Sequence, residues 1–244
     1  MARNTGKFDW SLLDRQSLID ALALIAPKVV NKQLKVDTYH RIFSKHIKSM
    51  LPVIVAKRSD KAVEFNCSYL GGAYYSDNDK ARQKCIEIVL VYNPFDKFIT
   101  VSRSKFNRLC SLFADTILHE VIHMRQHRRR KFKDLPDYAS TAEKDEQNQE
   151  QSYLGKSDEI DAYGFNIACE LLTKFNSDHQ LIYQYLNEDQ SKKKRRSNCW
   201  REYLNAFDHD HNHIIIKRLK SKVIRYLPHA EAGRPYRNKE WIGR

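Results

Sequence analysis

No apolar run in this 244-residue chain approaches the roughly 20 residues that a membrane helix needs. The first ten residues, MARNTGKFDW, hold no apolar stretch that would serve as a signal peptide. Both absences lead us to expect a soluble, non-secreted protein. Paired cysteines are missing too. Cys67, Cys85, Cys110, Cys169 and Cys199 stand singly, their number is odd, and no CxxC occurs, which argues against a disulfide framework and against a cysteine-based zinc site. They read as small buried side chains in a reducing compartment. The chain shows no internal repeat and no zinc-finger, RRM or P-loop signature. Carboxylates are scarce near the end. From Ser191 onward five Asp and Glu stand against fifteen Lys and Arg, so this segment carries +10 of the chain's net +13, and the first 190 residues about +3.

What is present is enough for a core: 41% of residues are hydrophobic, and the 30% charged share is short of a disordered composition. SLLDRQSLIDALALIA reads as an amphipathic helix stopped by Pro27. VDTYHRIFSKHIKSMLP reads as a second, with Asp37 as its N-cap and Pro52 at its end. KAVEFNCSYLGGAYYS and KCIEIVLVYNP, rich in β-branched and aromatic residues, read as two consecutive strands of one antiparallel sheet, with a polar turn DNDKARQ between them. Gly71-Gly72 suggests a bulge or sharp bend in the first. A short strand at KFITVS is expected next. A long helix KFNRLCSLFADTILHEVIHMRQH then follows, capped by Ser102 or Ser104. At roughly 100° per residue, Phe106, Leu109, Phe113, Ile117, Val121 and Met124 form one broad apolar face, which marks a buried helix. Residues 128–156 read as a polar connection. Ser157 is expected to cap a helix over SDEIDAYGFNIACELLTKF, DHQLIYQYL to form another, and CWREYLNAF and IIIKRLKSKVIRYL to lie in a basic tail with an irregular end. The expectation is an α+β chain with one domain over residues 1–187 and a basic helical extension over 188–244.

HEVIH, residues 119–123, carries the chemistry. Histidines at i and i+4 share a helix face, so His119 and His123 can reach one ion, and zinc accepts imidazole nitrogen well. Glu120 stands where a carboxylate can take a proton from a water that zinc activates. A third protein ligand is needed. His127 is excluded by geometry, because it would lie about 12 Å from His119 along a straight helix, and no glycine follows before Gly155 to break that helix. The next helix offers Asp158 and Glu159 in its first turn, and the residues alone leave the choice between them open.

The strand-rich segment, the buried HExxH helix and the acid-bearing helix after it together resemble the zincin metallopeptidases of the glutamate-liganded type. The similarity extends over about Lys61 to Phe175. It is nearest to ImmA/IrrE-like peptidases and small phage-encoded zinc peptidase-like proteins, which pair HExxH with an E-x-[DE]-A element opening a helix, here Glu159-Ile160-Asp161-Ala162. The resemblance implies a zincin-like fold, with a small antiparallel or mixed sheet packed on the HExxH helix and an edge strand that aligns a peptide substrate. It implies Zn2+ held by His119, His123 and Glu159, Glu120 as general base, Asp161 as a supporting acid, and hydrolysis of peptide bonds in a cytoplasmic or phage/virion-associated setting. The alternative is a non-catalytic nucleic-acid-binding or virion-associated protein in which the same fold is structural.

Other residues invite both a functional and a plain reading. Tyr163, one turn beyond Glu159, is a candidate oxyanion stabiliser or a core aromatic. Asp115, one turn before His119, either orients its ring or is an exposed acid. DHDHNH, residues 208–213, is read as a loop rather than a histidine-bearing strand. The cations after His127 suit a helix C-terminus. KKKRR and KRLKSKVIR point to sequence-independent nucleic-acid binding through the C-terminal region.

Overall fold

The computed structural model describes residues 8–65, 68–136, 138, 139, 142, 145–188 and 197–235, and it is α+β. The described chain divides into two compact units, residues 1–124 and 125–244, and the division falls inside one long helix. No helix among the described residues is long and apolar enough to cross a membrane.

In the first unit, helices α1 (Arg15–Ala23) and α2 (Ala26–Val29) lead into strand β1 (Gln33–Lys35), helix α3 (Val36–Met50) and strand β2 (Ile54–Ser59). Strand β3 (Ser68–Tyr74), the short helix α4 (Ser76–Lys80), strands β4 (Ile86–Tyr92) and β5 (Phe98–Thr100), and helix α5 (Arg103–Arg129) follow. β4 is the centre of a three-stranded sheet of order β2-β4-β3, parallel to β2 and antiparallel to β3. Its sequence IEIVLVY is buried up to Val91, as a central strand covered on both faces requires. The polar member, Glu87, accepts hydrogen bonds from the Tyr75 hydroxyl at 2.8 Å and from Arg58 at 3.0 Å, so its burial leaves the carboxylate satisfied. β1 and β5 form a separate antiparallel pair. In α5 every residue from Ile117 to Arg125 is buried, so the expectation of a core helix holds.

The second unit holds α6 (Asp145–Leu154), α7 (Ser157–Lys174), α8 (His179–Asn187), α9 (Asn198–Ala206) and α10 (Ile214–Glu231). α7 is the apolar centre, with Ile160, Phe165, Ile167, Leu171 and Leu172 buried. α10 buries Ile215, Ile216, Leu219, Val223 and Leu227, and it packs along α7. Contact is that close because residue 164 is glycine. A Cβ there would lie 2.8 Å from the Lys222 Cβ and 3.4 Å from its backbone carbon. α9 is fastened by its N-cap, Ser197, whose hydroxyl accepts from the Trp200 amide and donates to Glu170 of α7. Its far end is fastened by Gln151, which donates to the Ala206 carbonyl at 2.8 Å.

The β3–β4 pairing, β5 and the helices after Ser157 agree with the sequence reading. Several details differ. α3 begins at Val36 with Lys35 in the cap position, because β1 runs directly into it, and Asp37 accepts from Lys57 instead of capping. Gly71 and Gly72 form no bulge, since both stay in register opposite Val89 and Ile88. The turn over 76–83 contains α4, and the polar connection contains α6. Lys156 occupies the cap position of α7, and the Ser157 hydroxyl accepts from Arg218 at 2.7 Å. α10 continues past Pro228 to Glu231. Residue 187, the last of the domain expected over 1–187, is also the last residue of α8, and α9 and α10 lie in the segment expected as a basic helical extension. KKKRR, residues 192–196, lies outside the described residues.

Gly164→Ala tests the close packing. In an exposed helix this change stabilises by about 0.5–1 kcal/mol. Here the added methyl must push α10 away, and a net loss of about 1–2 kcal/mol is expected in urea denaturation. A gain in stability would show that the two helices are not tightly apposed at this position.

Candidate metal centre

The site begins with a helical repeat. His119 and His123 lie one turn apart on α5, both buried, with ring centroids 4.7 Å apart at an interplanar angle of 75°. Their Nε2 atoms face each other at 3.0 Å. Two nitrogens bound at 2.0–2.1 Å to a tetrahedral zinc would stand about 3.3 Å apart, so the pair needs only a small adjustment to hold an ion. Two neutral imidazoles can also share a hydrogen bond at this separation. The carboxylate distinguishes the arrangement, because one ligand atom from each of His119, His123 and Glu159 lies within 4.8 Å of the other two. Glu159 is buried as well. Two imidazole nitrogens and one carboxylate oxygen make a donor set of the kind that zinc accepts.

Glu159 owes its place to the turn that carries it. Within the second unit, the last turn of α5 is tied to the first turn of α7. The Gln126 side-chain amide donates to the Asp158 carbonyl at 3.1 Å and to Asp161 Oδ2 at 3.3 Å. Arg130 grips the Asp158 carboxylate with two hydrogen bonds of 2.8 and 2.7 Å. Lys222, from α10, donates to Asp161 Oδ1 at 2.6 Å. The first turn of α7 is thus clamped at residues 158 and 161, on either side of Glu159. These bonds also bear on the choice between Asp158 and Glu159. Asp158 is committed to Arg130, and His127 Nε2 lies 4.0 Å from that same carboxylate, so neither belongs to the cluster. Asp161 joins α7 to α5 and α10 through its bonds from Gln126 and Lys222. Lys222 was not anticipated, since 61 residues separate it from its partner.

Glu120 is buried beside the pair, and one feature of the sheet bears on it. A Cβ at Gly72 would fall 2.7 Å from Glu120 Oε1 and 2.6 Å from Thr116 Cγ2. β3, one of the two edge strands of its sheet among the described residues, therefore crosses α5 directly at Glu120, and only glycine permits that approach. The adjacent glycines were the sequence signal for this contact, although they read there as a bulge.

Asp115 neither orients His119 nor stands in solvent. Arg15 holds it with bonds of 2.7 and 3.2 Å, and burial raises its carboxyl above the usual range while the guanidinium opposes the shift. Tyr163 packs edge-on against Tyr203 at 5.4 Å. Burial raises its phenol well above the ordinary value, with smaller contributions from Tyr153, Glu202, Cys199 and Glu159. It stays neutral at any physiological pH. DHDHNH is a turn, with Asp208 and His209 at φ 53° and 56°, and His213 Nδ1 caps α10 by accepting from the Ile215 amide at 3.2 Å. No histidine of this segment joins a metal-type cluster among the described residues.

Lys222→Met leaves Asp161 without its cation while keeping the aliphatic stem. Divalent-metal affinity, read by competition with a chromophoric chelator, is expected to fall about tenfold, the lower end for loss of a supporting partner. Lys222→Arg is expected to restore most of it. Unchanged affinity in Lys222→Met would mean that the α7 turn is held without this bond.

Comparison of the chain with family models, curated proteins and solved structures returned no match, so its own geometry carries the functional reading.

Proposed function

We propose that the protein is a zinc-dependent metallopeptidase with a zincin-like fold, in which His119, His123 and Glu159 hold the ion and Glu120 is the general base. The observation that carries this reading is the convergence of the three ligand atoms within 4.8 Å, with a buried carboxylate next in sequence to the first histidine. When bound, zinc brings the pKa of a water to about 7 and polarises a carbonyl oxygen. The histidines act as neutral ligands, and Glu159 contributes one negative charge. Glu120 takes a proton from the attacking water as its oxygen bonds to the scissile carbon. The same carboxyl then gives that proton to the departing amine as the C–N bond breaks.

A peptide substrate has to lie extended beside this carboxylate, and β3 supplies a means. An edge strand offers unpaired backbone N–H and C=O groups to which an extended chain can add. Gly72 places bare backbone at the level of Glu120, where a side chain would displace the base. The reading thus gives β3 the role of aligning a protein or peptide substrate.

Elemental analysis is expected to find one zinc per chain, lost in both His123→Ala and Glu159→Ala. Zinc retained in full by Glu159→Ala would remove that residue from the ligand set. Glu120→Gln is nearly isosteric and cannot accept the proton. It is expected to keep fold and zinc and to lose hydrolysis of a peptide library by about 10²–10⁴-fold. Gly72→Val should also keep zinc while lowering kcat, because it moves Glu120 without touching a ligand. If the wild type holds one zinc and cleaves nothing, the reading as a non-catalytic nucleic-acid-binding or virion-associated protein takes precedence.

A further inference from the structure

Residues 1–124 contain nineteen Lys and Arg against twelve Asp and Glu. Two short segments account for an excess of that size. Residues 28–35 and 97–108 together hold Lys28, Lys32, Lys35, Lys97, Arg103, Lys105 and Arg108, with no carboxylate. All seven are exposed. The segments are distant in sequence, and the β1–β5 pairing joins them. Gln33 lies opposite Thr100, Leu34 opposite Ile99 and Lys35 opposite Phe98, and the Asn31 amide donates to the Val101 carbonyl at 2.9 Å.

Residues alternate across this ribbon. Ile99 points into the core, whereas Gln33, Lys35, Phe98 and Thr100 share the outer face, all exposed. Phe98 is 41% exposed, and Phe95, in the turn before β5, is 66% exposed. Helix stability does not explain the cations at the start of α5. Its first turn has no acid and begins with Arg103 and Lys105, where positive charge opposes the helix dipole. An ordinary solvated face interleaves both signs. Here the nearest acids in sequence are Asp96, in the turn, and Asp37, which accepts from Lys57.

We infer that the outer face of the β1–β5 ribbon binds single-stranded nucleic acid without regard to sequence. The lysines and arginines meet phosphates and Phe98 stacks on a base. Cations that track a backbone beside an exposed aromatic ring are the chemistry such strands require, and every base offers a face to stack on. A duplex fits less well, because its base faces are covered. An anionic membrane fits less well, because Gln33 and Thr100, flanking the phenylalanine and lysine, would be dehydrated without partners. The residues of this surface are not those of the C-terminal run over 192–196, and the inference does not depend on the peptidase reading.

The test uses the full chain and fluorescence anisotropy with a fluorescein-labelled 20-nucleotide oligo(dT), a labelled duplex of the same length, and vesicles of phosphatidylserine and phosphatidylcholine. Lys32→Ser, Lys35→Ser and Arg103→Ser combined should weaken oligo(dT) binding and lower the salt slope by about 2, since each single-strand phosphate contact contributes about 0.7. Phe98→Ala should weaken oligo(dT) binding about fivefold or more and leave duplex binding unchanged, because only the single strand can stack. Both effects should persist when residues 192–196 are all replaced by serine. Circular dichroism checks the fold. Should Phe98→Ala unfold, Phe98→Trp retains a ring, and oligo(dT) should quench the added emission. The inference is overturned if the wild type does not bind oligo(dT), if the triple variant binds as tightly as the wild type, or if oligo(dT) leaves the Phe98→Trp emission unchanged. Loss of vesicle binding alone in Phe98→Ala would overturn it in favour of a lipid surface.

Discussion

Under the proposed reading, two histidines one turn apart would occupy one side of an ion and leave the other side to a different element. A straight helix moves its next histidine too far along the axis, so α5 cannot complete the ligand set it begins. Much of the second unit can be understood as the response to this constraint. α7 has to present a carboxylate from its first turn, where helices are least constrained by their own hydrogen bonds. The turn is therefore held from outside, by Gln126 and Arg130 on one side and by Lys222 on the other. Asp158 and Asp161 are spent on that anchorage, and the acid between them is left to face the histidines.

A second constraint acts on the sheet. As the proposed base, Glu120 would act in a dry site, and its buried carboxylate needs space that a regular strand with side chains would fill. Gly72 resolves this by removing its own side chain while keeping the hydrogen-bonded register with Ile88. The strand stays regular and the base keeps its room. A bulge would have given the same space at the cost of ladder hydrogen bonds beside the site.

How much of this could be read from the residues alone depended on range. His119, Glu120 and His123 were legible because their geometry is fixed within two helical turns. The β3–β4 pair was legible because β-branched residues flank a short polar turn. Glu159 was separable from Asp158 only through a family resemblance, and the structure adds that Arg130 holds the Asp158 carboxylate. Interactions between distant segments were not legible. The parallel pairing of β2 with β4, the bond from Lys222 to Asp161 and the approach of Gly72 to Glu120 each join residues dozens of positions apart. Charge followed the same rule. The sequence drew attention to the contiguous cations of the tail, whereas the β1–β5 ribbon assembles an equally one-signed face from two segments, neither of which stands out alone.

The brace that α10 places on α7 has a consequence for the order in which the molecule is made. A chain emerging from the ribosome presents the histidine pair first, and the acid of α7 some forty residues later. Lys222 and the helix that fits over Gly164 emerge another sixty residues on. Until then the turn bearing Glu159 lacks one of its three anchors. Under the proposed reading, the centre is expected to mature only once synthesis has passed α10, so chain connectivity alone would delay any activity of the site.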